Sequence, residues 1–432
     1  MMVAMTPLSQ VYWYHQRARP RRDLPPLAGD TKVDIVVVGG GVAGLTCAQA
    51  LSEQGHRVLL LEQAFCGSGA SGRSSGFITP DSEMELSDLV RSRGVERARR
   101  LWEFVVSGVD DIRLNIERHG IDCDFQVQDS LFLANSPKGA AKTIREHDAR
   151  TRVGYESTLY DANTIRSVLT SKECCGGVRY SGTFGINAYL YCQALRDILR
   201  ESGVTIHEQS RVTEVDDGRV KANGFTVRAD HVVLCVDHCL PELGELPTEV
   251  YHLQTFLAAS APLSDAQISS IFPESRLMVW DSDLIYQYFR VTGDNRLLLG
   301  GSSAQYTYAH KQHEEAPRIV RRMRAFARKK FPQTPVEIEY FWPGLIGVSK
   351  DLLPLAAQDA SRPAISFVSG ATGLAWAAAL GRYMAEKIVS SRSDFDAEFD
   401  PGRSFVVGPS IQRLIGKPGA FALSHGVVKL LR

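Results

Sequence analysis

The run Gly39-Gly40-Gly41-Val42-Ala43-Gly44, with Glu62 beyond it, has the residue types and spacing needed to hold a pyrophosphate and a ribose. Gly39 permits a tight turn, Gly41 lets the backbone approach phosphate oxygens, and Gly44 lets a following helix pack closely on the preceding strand. Val42 and Ala43 open that helix, whose free N–H groups and partial positive charge favour an anion. Glu62, followed by Gln63, can accept hydrogen bonds from ribose hydroxyls, which disfavours a 2′-phosphate there. Such a glycine pattern is weak alone and strong in the right setting. The setting is present. Residues 34–39 read as an apolar strand of the doubly buried kind, 45–54 as a helix, and 57–61 as a second strand, giving one βαβ unit with short connections. The bland alternative is that these glycines serve only a tight turn.

Three later segments decide which dinucleotide is bound. Gly67 to Gly76 (GSGASGRSSG) is rich in small residues and can bring several backbone N–H groups against a large ligand. A turn-rich stretch follows at 344–354, and residues 369–376 read as the end of a strand running into a helix start. Glycine-rich segments this far apart in the chain fit an extended flavin dinucleotide, FAD, threaded through the fold. Gly373, Leu374 and Ala375, opening the last helix, are the candidates to stabilise negative charge on the flavin ring. No second glycine motif of the GxGxxG type offers a separate pyridine-nucleotide domain, and no CxxC pair offers a dithiol relay. The electron donor is therefore expected to be a small molecule on the flavin face.

These motifs resemble the D-amino-acid oxidase superfamily over about residues 30–395, with the nearest likeness to its gamma-glutamylputrescine oxidoreductase branch. The carrying residues are Gly69-Ala70-Ser71-Gly72-Arg73, Tyr288-Phe289-Arg290 with the segment 295–301, and the stretch through Gly373. The resemblance implies an α/β fold with a Rossmann-like FAD domain and an interleaved α+β substrate domain on a mixed antiparallel sheet. It implies FAD contacts at Gly69 to Arg73, Ser75, Gly76, Phe77, Val212, Cys235 and Gly344 besides the nucleotide motif. Members of this family often carry Asn-Gly where this chain has Ser74-Ser75, and His-Gly where it has Leu374-Ala375. Covalent members use a cysteine near the position of Gly344, so the flavin is expected to be non-covalent. Sarcosine-oxidase-like members hold a substrate carboxylate with a lysine that falls near Ala377 here, which puts a plain amino-acid substrate in doubt.

The expected reaction is oxidation of a small primary or secondary amine, which can bear a carboxylate. Hydride leaves the carbon bonded to nitrogen, the imine hydrolyses, and oxygen or an electron carrier reoxidises the flavin. Tyr286, Tyr288 and Arg290 share one strand face by period two and are expected to line the substrate pocket, with Arg290 able to grip a carboxylate. The alternative is a strand pair with Arg290 in a salt bridge. Asp81 and Glu83, just beyond the flavin loop, can face a cationic amine, although acidic residues there also suit a helix N-terminus. Lys350 is a candidate to contact flavin or activate oxygen if its turn points inward; His310 and His313 are ionisable residues in suggestive places. Two other readings stay open: a flavin enzyme acting on a hydroxy acid, and a flavin-binding partner module without turnover.

The 432 residues suit two connected domains, and 49 basic against 49 acidic side chains give no reason to expect nucleic acid as a partner. The expected division is an arm at 1–30, an FAD domain at 31–88, 170–240 and 335–400, a substrate domain at 89–169 and 241–334, and a C-terminal extension at 401–432. Tyr12, Trp13 and Tyr14 are expected to pin the arm to the body. Eight cysteines without metal-ligand spacing read as reduced thiols, which suggests a cytoplasmic protein. No run approaches the length of a transmembrane helix. Residues 420–431 predict a short amphipathic helix that docks on the body or on a partner subunit, with lipid as the lesser alternative; an oligomer is compatible with the sequence.

Overall fold

The computed structural model describes residues 10–16, 23–81, 83–283, 286–302 and 316–430. The expected βαβ unit is present: β1 (Thr31–Val38), α1 (Val42–Glu53) and β2 (Val58–Leu61). β1 pairs in parallel with β2 on one side and with Phe225–Leu234 on the other. Ile365–Ser369 extends the parallel core beyond Phe225–Leu234, and Thr205–His207 extends it beyond β2. Apolar side chains leave both faces of these strands, so both must be covered. On one face Ile35, Val37 and Leu60 pack with the helices; on the other Val36, Val38 and Leu59 pack with Val220, Val227 and Ile365.

Close helix packing fixes the top of this domain. A methyl added at Gly381, on the helix Leu374–Ser390, would stand 2.3 Å from Ala43 O of α1. One added at Gly108, on the helix Val95–His119, would stand 2.0 Å from Ala375 O. Backbones can approach this closely only where a side chain is missing, so the three helices are locked together at the end of β1.

The second sheet runs in the order Ile338–Val348, Tyr251–Pro262, Arg296–Ser302, Gln287–Val291, Leu277–Asp281, Asp129–Ala134, Gly176–Tyr180, Thr158–Asp161. Its pairs are antiparallel except Leu277–Asp281 with Asp129–Ala134, the mixed character expected of the substrate-side sheet. A small sheet of Phe77–Ile78, Phe184–Gly185 and Gln126–Val127 ties the flavin loop to the rest of the chain.

The helix Pro137–Val153 is followed by the edge strand Thr158–Asp161, whose side chains are mostly exposed. Two expectations change. Strands Gly176–Tyr180 and Ile338–Val348, both inside the expected FAD-domain segments, pair in the second sheet instead. The turn-rich reading of 344–354 gives way to strand as far as Val348. All eight cysteines are free thiols, including the adjacent Cys174 and Cys175. His310 and His313 lie outside the described residues.

Candidate active site

The turn after β1 is built by exclusion of side chains. Gly39 has φ +110°, and a methyl there would sit 2.3 Å from Cys235 O. A methyl at Gly44 would sit 1.9 Å from Gly39 O, and one at Gly40, a position the sequence reading passed over, 2.7 Å from Cys66 Sγ. Gly41 caps α1 in an extended conformation with no side chain of its own over the helix end. Ser71 Oγ stands there and accepts the Val42 N–H at 3.0 Å. At the end of β2 the Glu62 carboxylate accepts the N–H groups of Gly40 at 2.8 Å and Ala64 at 2.9 Å. Burial pushes its pKa up from the usual glutamate value, and those N–H donors pull it back.

A cavity of about 480 Å³ opens over this turn. Gly39, Gly41, Ala43, Glu62 and Gln63 line its nucleotide end, and Gly69, Ala70 and Ser71 line one wall. Cys235, packed against Gly39 and Gly44, also lines it, as do Val212, Gly373 and Leu374. These sequence-derived contacts therefore converge. Gly373 has φ +113° and caps a 17-residue helix without a side-chain cap, so a second helix N-terminus faces the same space. The sequence reading missed Asp237 and His238, which also line the cavity. Asp237 accepts the Gly347 and Gly370 N–H groups, at 2.6 and 3.0 Å, while the buried His238 Nδ1 has no hydrogen-bond partner among the described residues. Bare glycine backbone and two helix N-termini at one cavity fit an elongated phosphate-bearing cofactor such as FAD.

The remaining expected contacts support the cavity from behind. Three successive carbonyls of the flavin loop are gripped by buried donors from three distant parts of the chain. Arg73 O accepts Trp342 Nε1–H at 3.0 Å, Ser74 O accepts Trp13 Nε1–H at 2.7 Å, and Ser75 O accepts Arg290 Nε–H at 2.9 Å. Arg73 itself donates to Ser68 O at 3.2 Å. Methyls at Gly72 and Gly76 would each come within 1.9 Å of a backbone oxygen, of Gly67 and Ile186 respectively. Val42 is fully buried, Gly44 packs on Gly39 and Cys235, and Ala375 meets Gly108 of the helix Val95–His119. Gly344 lies beside Thr255 in the second sheet, and Ile346, two residues on, reaches the cavity in its place because the segment is strand.

Three catalytic candidates are relocated. Arg290 shares the strand face of Tyr288, but its side chain is fully buried, donating to Ser75 O and Ile186 O with its guanidinium over Trp13. Burial pushes its pKa down to about 10, which still leaves it charged near neutrality. It braces the flavin loop and the small sheet instead of reaching a substrate carboxylate. Asp81 is buried in an ion pair with Arg150 at 3.0 Å, and Arg150 also meets Glu146 at 2.9 Å. Lys350 is buried against Phe405 and Phe421 of the C-terminal extension, 5.3 and 5.8 Å from their ring centres, and does not line the cavity.

Tyr288 packs in an aromatic cluster. Its ring lies 5.7 Å from Phe77, which leaves the flavin loop, and 5.8 Å from Tyr286, and the three pack with Phe132, Tyr180 and Trp280. Tyr286 OH donates to Glu83 Oε1 at 2.9 Å, so a half-buried carboxylate sits at the edge of this aromatic wall. Deeper in, Trp280 Nε1 donates to Glu85 at 2.9 Å, and Asp81, Glu85 and Glu146 approach within 4.8 Å of one another. Burial, and then the neighbouring Asp81 and Glu146 charges, push the Glu85 pKa well above its ordinary value; burial also raises that of Glu146.

The family model described as FAD dependent oxidoreductase (DAO) matches residues 34–387. The chain is similar to the probable oxidoreductase OrdL of Haemophilus influenzae, 29% identical over 84% of this chain and 85% of the relative. It is similar to the gamma-glutamylputrescine oxidoreductase of Escherichia coli, 28% identical over the same shares. Among solved structures, glycine oxidase from Geobacillus kaustophilus shares the fold with a TM-score of 0.74 at 19% identity, covering 87% of this chain and 99% of that one. With the glycine turn, the second helix N-terminus and the braced loop all inside the matched region, the chain belongs to the DAO family of FAD-dependent oxidoreductases.

Proposed function

We propose that the protein oxidises a small primary or secondary amine to an imine that water then hydrolyses, with oxygen or an electron carrier as the final acceptor. The observation that carries this reading is the aromatic wall of Phe77, Tyr286 and Tyr288, which starts at the flavin loop and ends at the Glu83 carboxylate. Such a wall receives the carbon chain of an amine, and Glu83 attracts the ammonium form. FAD, when bound, supplies the hydride acceptor.

The chain's own groups supply the rest. An ammonium cannot release hydride from its neighbouring carbon, so a proton must first leave nitrogen. In this reading Glu83 takes it, and the Tyr286 OH, which donates to Glu83 Oε1, orients the carboxylate. The N-terminus of Leu374–Ser390 favours negative charge in the cavity. Sealing of Arg290 removes the one cation that the Tyr288 strand offered to a carboxylate, which tilts the reading toward amines whose carboxylate, if present, is distant from the reacting carbon. The names of two similar proteins, gamma-glutamylputrescine oxidoreductase and glycine oxidase, support nitrogen-bearing donors.

The test is anaerobic mixing of the FAD-loaded protein with amines, amino acids and hydroxy acids. Bleaching of the flavin by an amine, with ammonia or an alkylamine released, is expected. Bleaching by hydroxy acids alone, or by none of the three, would refute the proposal.

A further inference from the structure

The C-terminal extension carries a surface that the oxidoreductase fold does not use. The helix Pro409–Leu430 breaks at Gly416, whose φ of 74° and ψ of 164° are non-helical, with Pro418 just beyond. Past the break the helix is docked: Ala420, Phe421, Ser424 and His425 are buried, Phe421 packs on Tyr251 at 5.5 Å, and His425 Nε2 meets Ser349 O at 2.7 Å. Before the break only Gln412 is buried, held to Thr248 O at 3.3 Å. Ile411, Leu414 and Ile415, one helical face by their i, i+3, i+4 spacing, point outward. Leu414 is 85% exposed, and Val406 and Leu423 nearby are 62% and 48% exposed. Five of the eleven exposed large apolar side chains among the described residues thus fall between 406 and 423.

Charge tells what covers this face. Residues 401–432 contain Arg403, Arg413, Lys417, Lys429 and Arg432 and no acidic residue, although the whole chain is balanced. Arg403 is spent on Asp351 at 2.7 Å, but Arg413 is exposed among the apolar residues. A second copy meeting this face would bring together two basic segments with no acidic residue in either. Apolar side chains around the exposed Arg413, with Lys417 beside them over the Tyr251 ring at 5.3 Å, instead match the boundary between anionic headgroups and acyl chains. Among the described residues no helix is long and apolar enough to cross a membrane, so the contact is peripheral.

We infer that residues 406–423 form a peripheral docking surface for an anionic phospholipid bilayer, with the docked half of the helix holding the exposed half outward. The test is co-sedimentation of the FAD-loaded full chain with phosphatidylcholine vesicles, with and without phosphatidylglycerol, at low and high salt. Binding is expected only with phosphatidylglycerol, and should weaken with salt. Leu414→Glu should weaken it by about tenfold or more, and Arg413→Glu by at least about fivefold. Both variants should keep the flavin absorbance, since neither side chain is packed. Failure of the unmodified protein to sediment with phosphatidylglycerol vesicles overturns the inference. So does sedimentation that Leu414→Glu leaves unchanged. A dimer that ignores vesicles and is split by Leu414→Glu would assign the face to a second copy.

Discussion

In a Gly44→Ala variant the new methyl would stand 1.9 Å from Gly39 O and 3.4 Å from Cys235 Cβ. The oxygen is backbone and cannot swing aside. Restoring ordinary contact of about 3.4 Å requires α1 to retreat by about 1.5 Å from the end of β1. The overpacking itself should cost about 1–3 kcal/mol of stability. The larger effect falls on the cofactor. The N–H groups at the start of α1 would move out of reach of the phosphate oxygens, and each charge-assisted hydrogen bond lost is worth about 1.5–3 kcal/mol. One such loss weakens FAD binding by about tenfold to a hundredfold, and two multiply the effect. Titrating apoprotein with FAD and following flavin fluorescence gives the dissociation constant, and urea unfolding of the apoprotein gives the stability term separately. An affinity within about twofold of the parent in a folded Gly44→Ala protein would refute the phosphate-binding role of this turn. Gly69→Ala supplies the contrast. Its methyl would meet no protein atom within 4 Å, and Gly69 lines the cavity. The apoprotein should be as stable as the parent, and FAD affinity should fall, because only the cofactor occupies that space.

Other outcomes follow from the same geometry. Trp13→Phe keeps an aromatic side chain but loses part of the fully buried indole and the N–H that holds Ser74 O; the cavity and the lost hydrogen bond together should cost about 2–3 kcal/mol of stability and raise the FAD dissociation constant, read by the same titration. Lys350→Met should leave FAD affinity and turnover unchanged, because Lys350 faces Phe405 and Phe421 and not the cavity. Glu85 and Glu146 hold their protons more tightly folded than unfolded. Their contribution to stability is therefore full below the ordinary value of 4.5 and is lost as pH rises through the raised values. Glu85→Gln, which stays neutral, should gain stability relative to the parent between about pH 5 and pH 8 in urea melts; a constant difference across that range would contradict the shift.

The nucleotide half was legible because its signals are local. A doubly buried strand, three glycines and an acid at the next strand end lie within one βαβ unit, and the steric reason for Gly39 and Gly44 is a neighbour in that unit or just past the adjoining strand, while Gly41 faces Ser71 of the flavin loop. The substrate half was harder to read because its decisive contacts are distant in sequence. Arg290 meets Ser75 and Ile186, and Asp81 meets Arg150 across a 69-residue separation, so period two gave the strand face of Arg290 but not the carbonyls that seal it. Lys350 turned out to serve the C-terminal extension, a segment without family pattern to read against. Trp13 was noted only as part of a pinning arm; that it pins the flavin loop itself rests on a hydrogen bond to a carbonyl, which leaves no mark in residue type. Asp237 and His238 follow the strand Phe225–Leu234 directly, and the rule that ligands bind at the carboxyl ends of parallel strands pointed to them.

The most direct measurement of the central claim is the visible spectrum of the purified, folded protein titrated with FAD and then with a small amine in the absence of oxygen. The account predicts tight flavin binding with its yellow absorbance, followed by loss of that absorbance as the amine is oxidised. A folded protein that stays colourless with added FAD contradicts the cofactor site, and a yellow protein that no amine bleaches contradicts the reaction assigned to it.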